Sequence, residues 1–302
     1  MRIEERILAL RNEKNAIILA HNYQRPEVQD IADFVGDSLG LSVQASKTNA
    51  DVIVFCGVDF MAESAKVLSP GKKVLLPEEN AQCPMAAMVD VPGLLAMKRE
   101  HPNAAVVSYV NTSAAVKAES DICCTSANAV KVVKSLSAEE IIFVPDENLG
   151  KWVKRSVPDK RFVFWPGFCP THDSISPEQV KAAKTQHPEA KVVAHPECRP
   201  GVLDMADAVK STEGMIKFVK EDPAKEFIIV TERELLHRLQ KETSGKVFHA
   251  LEGAVCPNMK RIRLESVEAA LDKGKHEILL PSEVISRARA PLEKMMAVGR
   301  GD

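Results

Sequence analysis

Three Cys-Pro dipeptides, Cys83-Pro84, Cys169-Pro170 and Cys256-Pro257, stand 86 and then 87 residues apart in this chain. Thiolates are soft ligands that suit zinc or iron-sulfur clusters. A structural zinc site pairs its cysteines a few residues apart and closes all four positions. A ferredoxin-type cluster gathers three or more cysteines in one loop. The chain contains neither a CxxC nor such a loop. Three distant cysteines brought to one point would instead hold one 4Fe-4S cluster through three ligands and leave one iron open. An open iron is a Lewis acid that binds carboxylate and hydroxyl oxygens, so dehydration is the chemistry to expect. Taken singly, a cysteine is usually a small buried hydrophobe. Cys56, Cys123, Cys124 and Cys198 are read that way, with Cys198 the nearest of them to other reactive groups.

Those groups fall in three similar segments: Ala20-His21-Asn22-Tyr23, Ser108-Tyr109-Val110-Asn111 and Ala194-His195-Pro196-Glu197. Imidazoles, phenols and a carboxylate are suited to proton transfer. A lone histidine is more often structural, but His21 and His195 occupy equivalent places, and the only two tyrosines, Tyr23 and Tyr109, belong to the same set. Ser38, Ser126, Ser211 and Thr212 precede apparent helices. They read as N-caps, and a capped helix N-terminus is also a site for phosphate or carboxylate.

The elements that must position these residues repeat along the chain. Apolar runs, several ending on a polar residue, such as Ile17 to His21, Val52 to Phe55, Val74 to Leu76, Val106 to Tyr109, Ile141 to Val144, Phe162 to Trp165, Val192 to His195 and Phe227 to Val230 read as buried strands. Met61 to Leu68, Ala129 to Leu136 and Met215 to Val219 carry helical spacing. The alternation predicts α/β structure with parallel sheets. His21, Tyr109 and His195 are 88 and then 86 residues apart, and Ser38, Ser126 and Thr212, like Phe55, Phe143 and Ile229, keep the same two offsets. A period this long is a domain rather than a solenoid unit. The expected fold is three homologous three-layer αβα domains, 1–88, 89–174 and 175–260, in a pseudo-threefold arrangement around a central active site. Residues 261–302 form a tail packing on the domains, with helical segments near Ser266 to Leu271 and Pro291 to Met296.

The formal charge of −2 recommends neither a nucleic-acid nor an anionic-membrane partner, and a small polar substrate fits better. The N-terminal residues have the spacing of a helix face and no signal-peptide pattern, and no apolar run approaches the roughly 20 residues of a membrane span. Seven cysteines, an odd count, disfavour a disulfide framework. A cytoplasmic location is expected.

His21-Asn22-Tyr23, Gly36-Asp37-Ser38, Gly57 to Glu63, Tyr109-Val110-Asn111, Trp165 to His172, His195-Pro196-Glu197-Cys198 and Cys256-Pro257-Asn258-Met259 together resemble the quinolinate synthase family over essentially the whole chain. The resemblance implies condensation of iminoaspartate with dihydroxyacetone phosphate, with loss of phosphate and two waters, to give quinolinate for NAD biosynthesis. It implies cluster ligation by Cys83, Cys169 and Cys256. It also implies substrate contacts from His21, Ser38, Tyr109, Asn111, Ser126, His195, Glu197 and Thr212, with Val110, Pro196 and Ser211 beside them. Tyr23 and Glu197, with Tyr109, His195 and His21, are the candidates for proton transfer, and His172 for orienting the site. An aspartate oxidase or dehydrogenase would supply the imine. No cysteine follows Cys256, so redox control through a C-terminal cysteine motif is not expected. Two other readings remain open on sequence: an iron-sulfur hydro-lyase for a different hydroxy acid, and a non-catalytic cluster protein.

Overall fold

The computed structural model describes residues 2–302. It contains three four-stranded sheets, and every pairing between their strands is parallel. The first holds β1 (Ala16–His21), β2 (Phe34–Gly36), β3 (Val52–Cys56) and β4 (Lys73–Leu75). The second holds β5 (Ala105–Tyr109), β6 (Ile122–Cys124), β7 (Glu140–Val144) and β8 (Arg161–Phe164). The third holds β9 (Lys191–Ala194), β10 (Ala208–Val209), β11 (Glu226–Val230) and β12 (Val247–Ala250). Strand order is the same in all three: β2-β1-β3-β4, β6-β5-β7-β8 and β10-β9-β11-β12. Helices flank each sheet, as near-continuous apolar strands require. Ile18, Leu19, Ile53, Val54, Val106, Val107, Ile141, Ile142, Val193, Ile228 and Ile229 have no exposed surface.

One polar device closes every unit. Asp33, Asp121 and Asp207 each accept, at 2.7–2.8 Å, the backbone N–H of a central-strand residue fifteen positions earlier: Ile18, Val106 and Val192. Each aspartate also donates its own N–H to the carbonyl of that residue. The carboxylate takes a strand amide that the short edge strand, starting further along, leaves free. The repeat thus extends from apolar pattern to individual hydrogen bonds.

The edge strands β2, β6 and β10 and the terminal strand β12 carry no run long enough to be read as strands from sequence. Two to four residues form them only because a central strand is there to pair with. The tail packs on the units: helix Leu264–Lys273 lies on helix Ile3–Glu13, and helix Ser282–Val298 on helices Asp59–Leu68 and Ala114–Ala118. Its last residues reach all three. Arg300 pairs with Asp37 at 2.6 Å, Gly301 donates its N–H to the Ala127 carbonyl at 2.9 Å, and Asp302 accepts the Ser211 N–H at 3.0 Å.

Candidate active site

In each sheet the chain order reverses between the two central strands, and the crevice this opens beyond the carboxyl ends is where parallel α/β sheets collect functional groups. The three crevices face one cavity. The first unit contributes His21, Tyr23 and Ser38, the second Tyr109, Asn111 and Ser126, and the third His195, Glu197 and Thr212. Cys83, Cys169 and Cys256 line the same cavity. These three are the half-buried cysteines of the chain, whereas Cys56, Cys123, Cys124 and Cys198 are fully buried.

The two histidines use the same local geometry. Nδ1 of His21 accepts the N–H of Tyr23 at 3.2 Å, and Nδ1 of His195 accepts the N–H of Glu197 at 3.4 Å. Each neutral ring therefore carries its proton on Nε2; that of His195 lies 3.2 Å from Ser126 Oγ. Burial pushes His21 down to about 4 and His195 to about 3, against an ordinary value of 6.5. Both rings are thus neutral donors at physiological pH.

Five side chains form a continuous hydrogen-bonded chain. The Tyr109 hydroxyl donates to Glu197 Oε1 at 2.5 Å, and His172 Nδ1 is 2.7 Å from Glu197 Oε2. His172 Nε2 is 2.8 Å from Thr231 Oγ1, which is 2.6 Å from the Tyr23 hydroxyl. With the Nδ1 proton on His172 donated to Glu197, Nε2 accepts from Thr231 and Thr231 accepts from Tyr23. The only two tyrosines of the chain are thereby joined through one carboxylate. Burial would raise the Glu197 carboxyl, but His172 and the hydrogen bonds from His172 and the Tyr109 hydroxyl outweigh it and hold the group below the usual carboxylate range. Burial, and next the charge of Glu197, push both phenols well above 10 and keep them protonated.

Anion-binding geometry is present beside this chain. Ser38 and Thr212 are the first residues of helices Ser38–Lys47 and Thr212–Glu221. The capping falls to their predecessors: Asp37 accepts from Gly40 N at 2.8 Å and Ser211 from Gly214 N at 3.2 Å. Ser38 and Thr212 are thus not the N-caps anticipated from sequence. Both residues line the cavity, and Thr212 Oγ1 accepts from Asn22 Nδ2 at 2.7 Å. Ser126 likewise lines the cavity without capping, since Asn128 holds the cap position of helix Ala129–Ser135. Of the other anticipated residues, Val110 is buried next to the cavity, and Pro196 and Ser211 border a neighbouring depression instead.

The donor set fits a cluster better than one ion. A single tetrahedral metal at 2.3 Å would draw its sulfurs to about 3.8 Å of one another. Among the described residues, no group of ligand atoms within 4.8 Å of one another contains all three cysteines. Cys169, His172 and Glu197 do meet that limit, with Nδ1 of His172 3.2 Å from the Cys169 sulfur, but they are the centre of the hydrogen-bonded chain already described. Burial pushes all three thiols above the usual range, so metal binding must release their protons.

Three contributors were not singled out in sequence. Thr231 and Glu232 directly follow β11 and have no motif of their own, although Asp146 and Glu232 keep the 86-residue offset. Thr125 lines the cavity beside Ser126.

The neutral state of His21 has a measurable consequence. Below pH 6.5 the unfolded chain takes up a proton at this ring that the folded protein refuses, so stability from this group is complete above 6.5 and lost as pH falls toward 4. Relative to His21→Asn, the parent is expected to lose about 1 kcal/mol between about pH 7.5 and 5.5, and about 3 kcal/mol by pH 4. Urea unfolding of both proteins across this range checks it; parallel curves would show that His21 titrates normally.

Among the described residues, no helix is long and apolar enough to cross a membrane. The sequence profile of the family described as "Quinolinate synthetase A protein" matches residues 5–297. "Quinolinate synthase" of Methanosarcina barkeri is 58% identical over 295 residues, 97% of each chain. "Quinolinate synthase 1" of Methanosarcina acetivorans is 57% identical over 295 residues, again 97% of each chain. "Quinolinate synthase" of Thermodesulfovibrio yellowstonii is 54% identical over 298 residues, 98% of each. Matches of this length span all three units and every residue of the cavity, and the chain belongs to the quinolinate synthetase A family.

Proposed function

We propose that this chain is a quinolinate synthase that condenses iminoaspartate with dihydroxyacetone phosphate to form quinolinate, with loss of phosphate and two waters, for NAD biosynthesis in the cytoplasm. The observation that carries the reading is the meeting, in one cavity, of a cysteine from each unit with the Tyr-Glu-His chain and two neutral imidazole donors. The units would be 1–88, 89–174 and 175–260, with 261–302 as the tail.

Cys83, Cys169 and Cys256 would hold a 4Fe-4S cluster. When bound, it supplies an open, Lewis-acidic iron that binds substrate oxygens and eases departure of hydroxide. The remaining work falls to the chain's own groups. The Nε2–H of His21 and of His195 donates to substrate carboxylate or carbonyl oxygens without adding charge. Ser38, Ser126 and Thr212 take up the anionic ends, the first and third with helix N-termini behind them. Glu197, ionised, draws a proton from substrate carbon or hydroxyl, and Tyr109, hydrogen-bonded to it, returns one. Tyr23, at the far end of the chain, is the second proton-transfer group, and the hydrogen bonds through Thr231 and His172 run from its hydroxyl toward Glu197. Val110, Pro196 and Ser211 shape the backbone next to these contacts. An aspartate oxidase or dehydrogenase would supply the imine.

Anaerobically purified protein, given iminoaspartate generated in place and dihydroxyacetone phosphate, is expected to form quinolinate and phosphate in equal amounts. Quinolinate absent while a simple hydroxy acid is dehydrated would instead identify a hydro-lyase.

A further inference from the structure

Each Cys-Pro loop is tied back to the turn after the third strand of its unit. Asp59 N–H donates to Ala81 O at 2.9 Å, Glu147 N–H to Gly167 O at 2.8 Å and Arg233 N–H to Ala254 O at 2.8 Å, each carbonyl two residues before the cysteine. A carboxylate adds a second tie in two of the units, half-buried in the first and buried in the third. Asp59 Oδ1 accepts the N–H of Cys83 at 3.0 Å, and Glu232 Oε1 accepts the N–H of Cys256 at 3.2 Å, each from 24 residues earlier. Glu232 has no exposed surface and is paired with Lys260 at 2.9 Å; Lys260 Nζ also donates to the Tyr23 carbonyl. In the second unit Asp146 takes the corresponding place, but its Oδ1 accepts from Leu149 N at 2.9 Å and its Oδ2 is buried without a partner.

The consequence is electrostatic as well as mechanical. Hydrogen bonds to cluster sulfur and nearby charge set an iron-sulfur potential, and partners of the ligands orient them. Here two of the three ligand N–H groups are directed at carboxylates and so are withheld from sulfur, while Asp59 adds negative charge beside Cys83 and Glu232 offsets the Lys260 cation beside Cys256. Both effects disfavour an added electron. We propose that Asp59 and Glu232 are positioning residues that hold the Cys83 and Cys256 loops and depress the cluster's reduction potential, keeping it oxidised as a Lewis acid rather than an electron carrier. The inference rests on the cluster reading above.

Asp59→Asn, Glu232→Gln and the double variant keep an oxygen that can accept the cysteine N–H and remove the charge; at Glu232 the amide also gives up the Glu234 N–H, which Oε2 accepts at 2.9 Å, and the ion pair with Lys260. Asp207→Asn makes the same charge change at Val192, on the opposite end of a sheet. The proteins are purified anaerobically, counted for iron and sulfide, checked by circular dichroism and titrated potentiometrically with electron paramagnetic resonance as readout. At a fixed potential, the reduced-to-oxidised ratio of the double variant is expected to rise about tenfold, or ~59 mV for one electron, with the Asp207→Asn protein matching the parent. Loss of cluster from the double variant, with dichroism unchanged and the control loaded, would also support the holding role. Loaded variants that titrate with the parent would overturn the inference. A parent without iron would overturn the cluster reading itself.

Discussion

Replacing Cys83, Cys169 or Cys256 with alanine is expected to remove the cluster and quinolinate formation in each of the three variants, while the same change at Cys198 leaves both in place. The structure separates the two kinds of cysteine. The first three line the central cavity, whereas Cys198 is fully buried and directs its sulfur toward the Val230 carbonyl at 3.7 Å. Each of the three comes from a different unit, so no neighbouring thiol can substitute within its loop. With only two ligands, a cluster is held too weakly to survive purification, and activity falls to background. Iron and sulfide analysis after anaerobic purification checks this, with about four irons expected in the parent. About one zinc and no sulfide would overturn the cluster assignment. An intact cluster in any of the three variants would show that another group supplies a ligand.

Glu197→Gln is expected to reduce turnover by about 10²–10⁴-fold, the span typical of losing a positioned acid-base group. Glu197 accepts from Tyr109 through one oxygen and faces His172 through the other. An amide keeps the first contact. Its NH₂ then meets the Nδ1 proton of His172, so the ring must change tautomer and the link through Thr231 to Tyr23 reverses or breaks. The lost acceptor is buried, and its removal is also expected to cost about 1–3 kcal/mol of stability. Steady-state assay with iron content held equal to the parent separates the two effects. Full turnover in the loaded Glu197→Gln protein would remove the carboxylate from the mechanism. Tyr109→Phe is expected to lower turnover with less change in stability, because it leaves Glu197 its His172 contact.

How much of this was legible beforehand follows from how local each signal is. The central strands β1, β3, β5, β7, β9 and β11 were readable because unbroken apolar runs suit strands buried on both faces. The constant offsets of His21, Tyr109 and His195 and of the three Cys-Pro dipeptides required only that the chain be compared with itself. The edge strands β2, β6 and β10 were not readable, since pairing with a central strand decides such two-to-three-residue segments. The capping roles were misplaced by one position at Ser38 and Thr212. Neighbouring polar residues compete for the same helix N-terminus, and only the backbone dihedrals decide between them.

The sequence by itself therefore determined the class of fold, its threefold repetition, and the set of residue types that one site would bring together. Tertiary structure decided which of those residues touch. Thr231 joins Tyr23 to His172, Asp59 and Glu232 hold cysteine amides 24 residues away, and Ser211 faces away from the cavity that Thr212 enters. The physical reason is that periodicity and composition record what each segment buries along its own length. A hydrogen bond between units depends on a few ångströms of placement, and that placement exists only after three sheets have packed around a common centre.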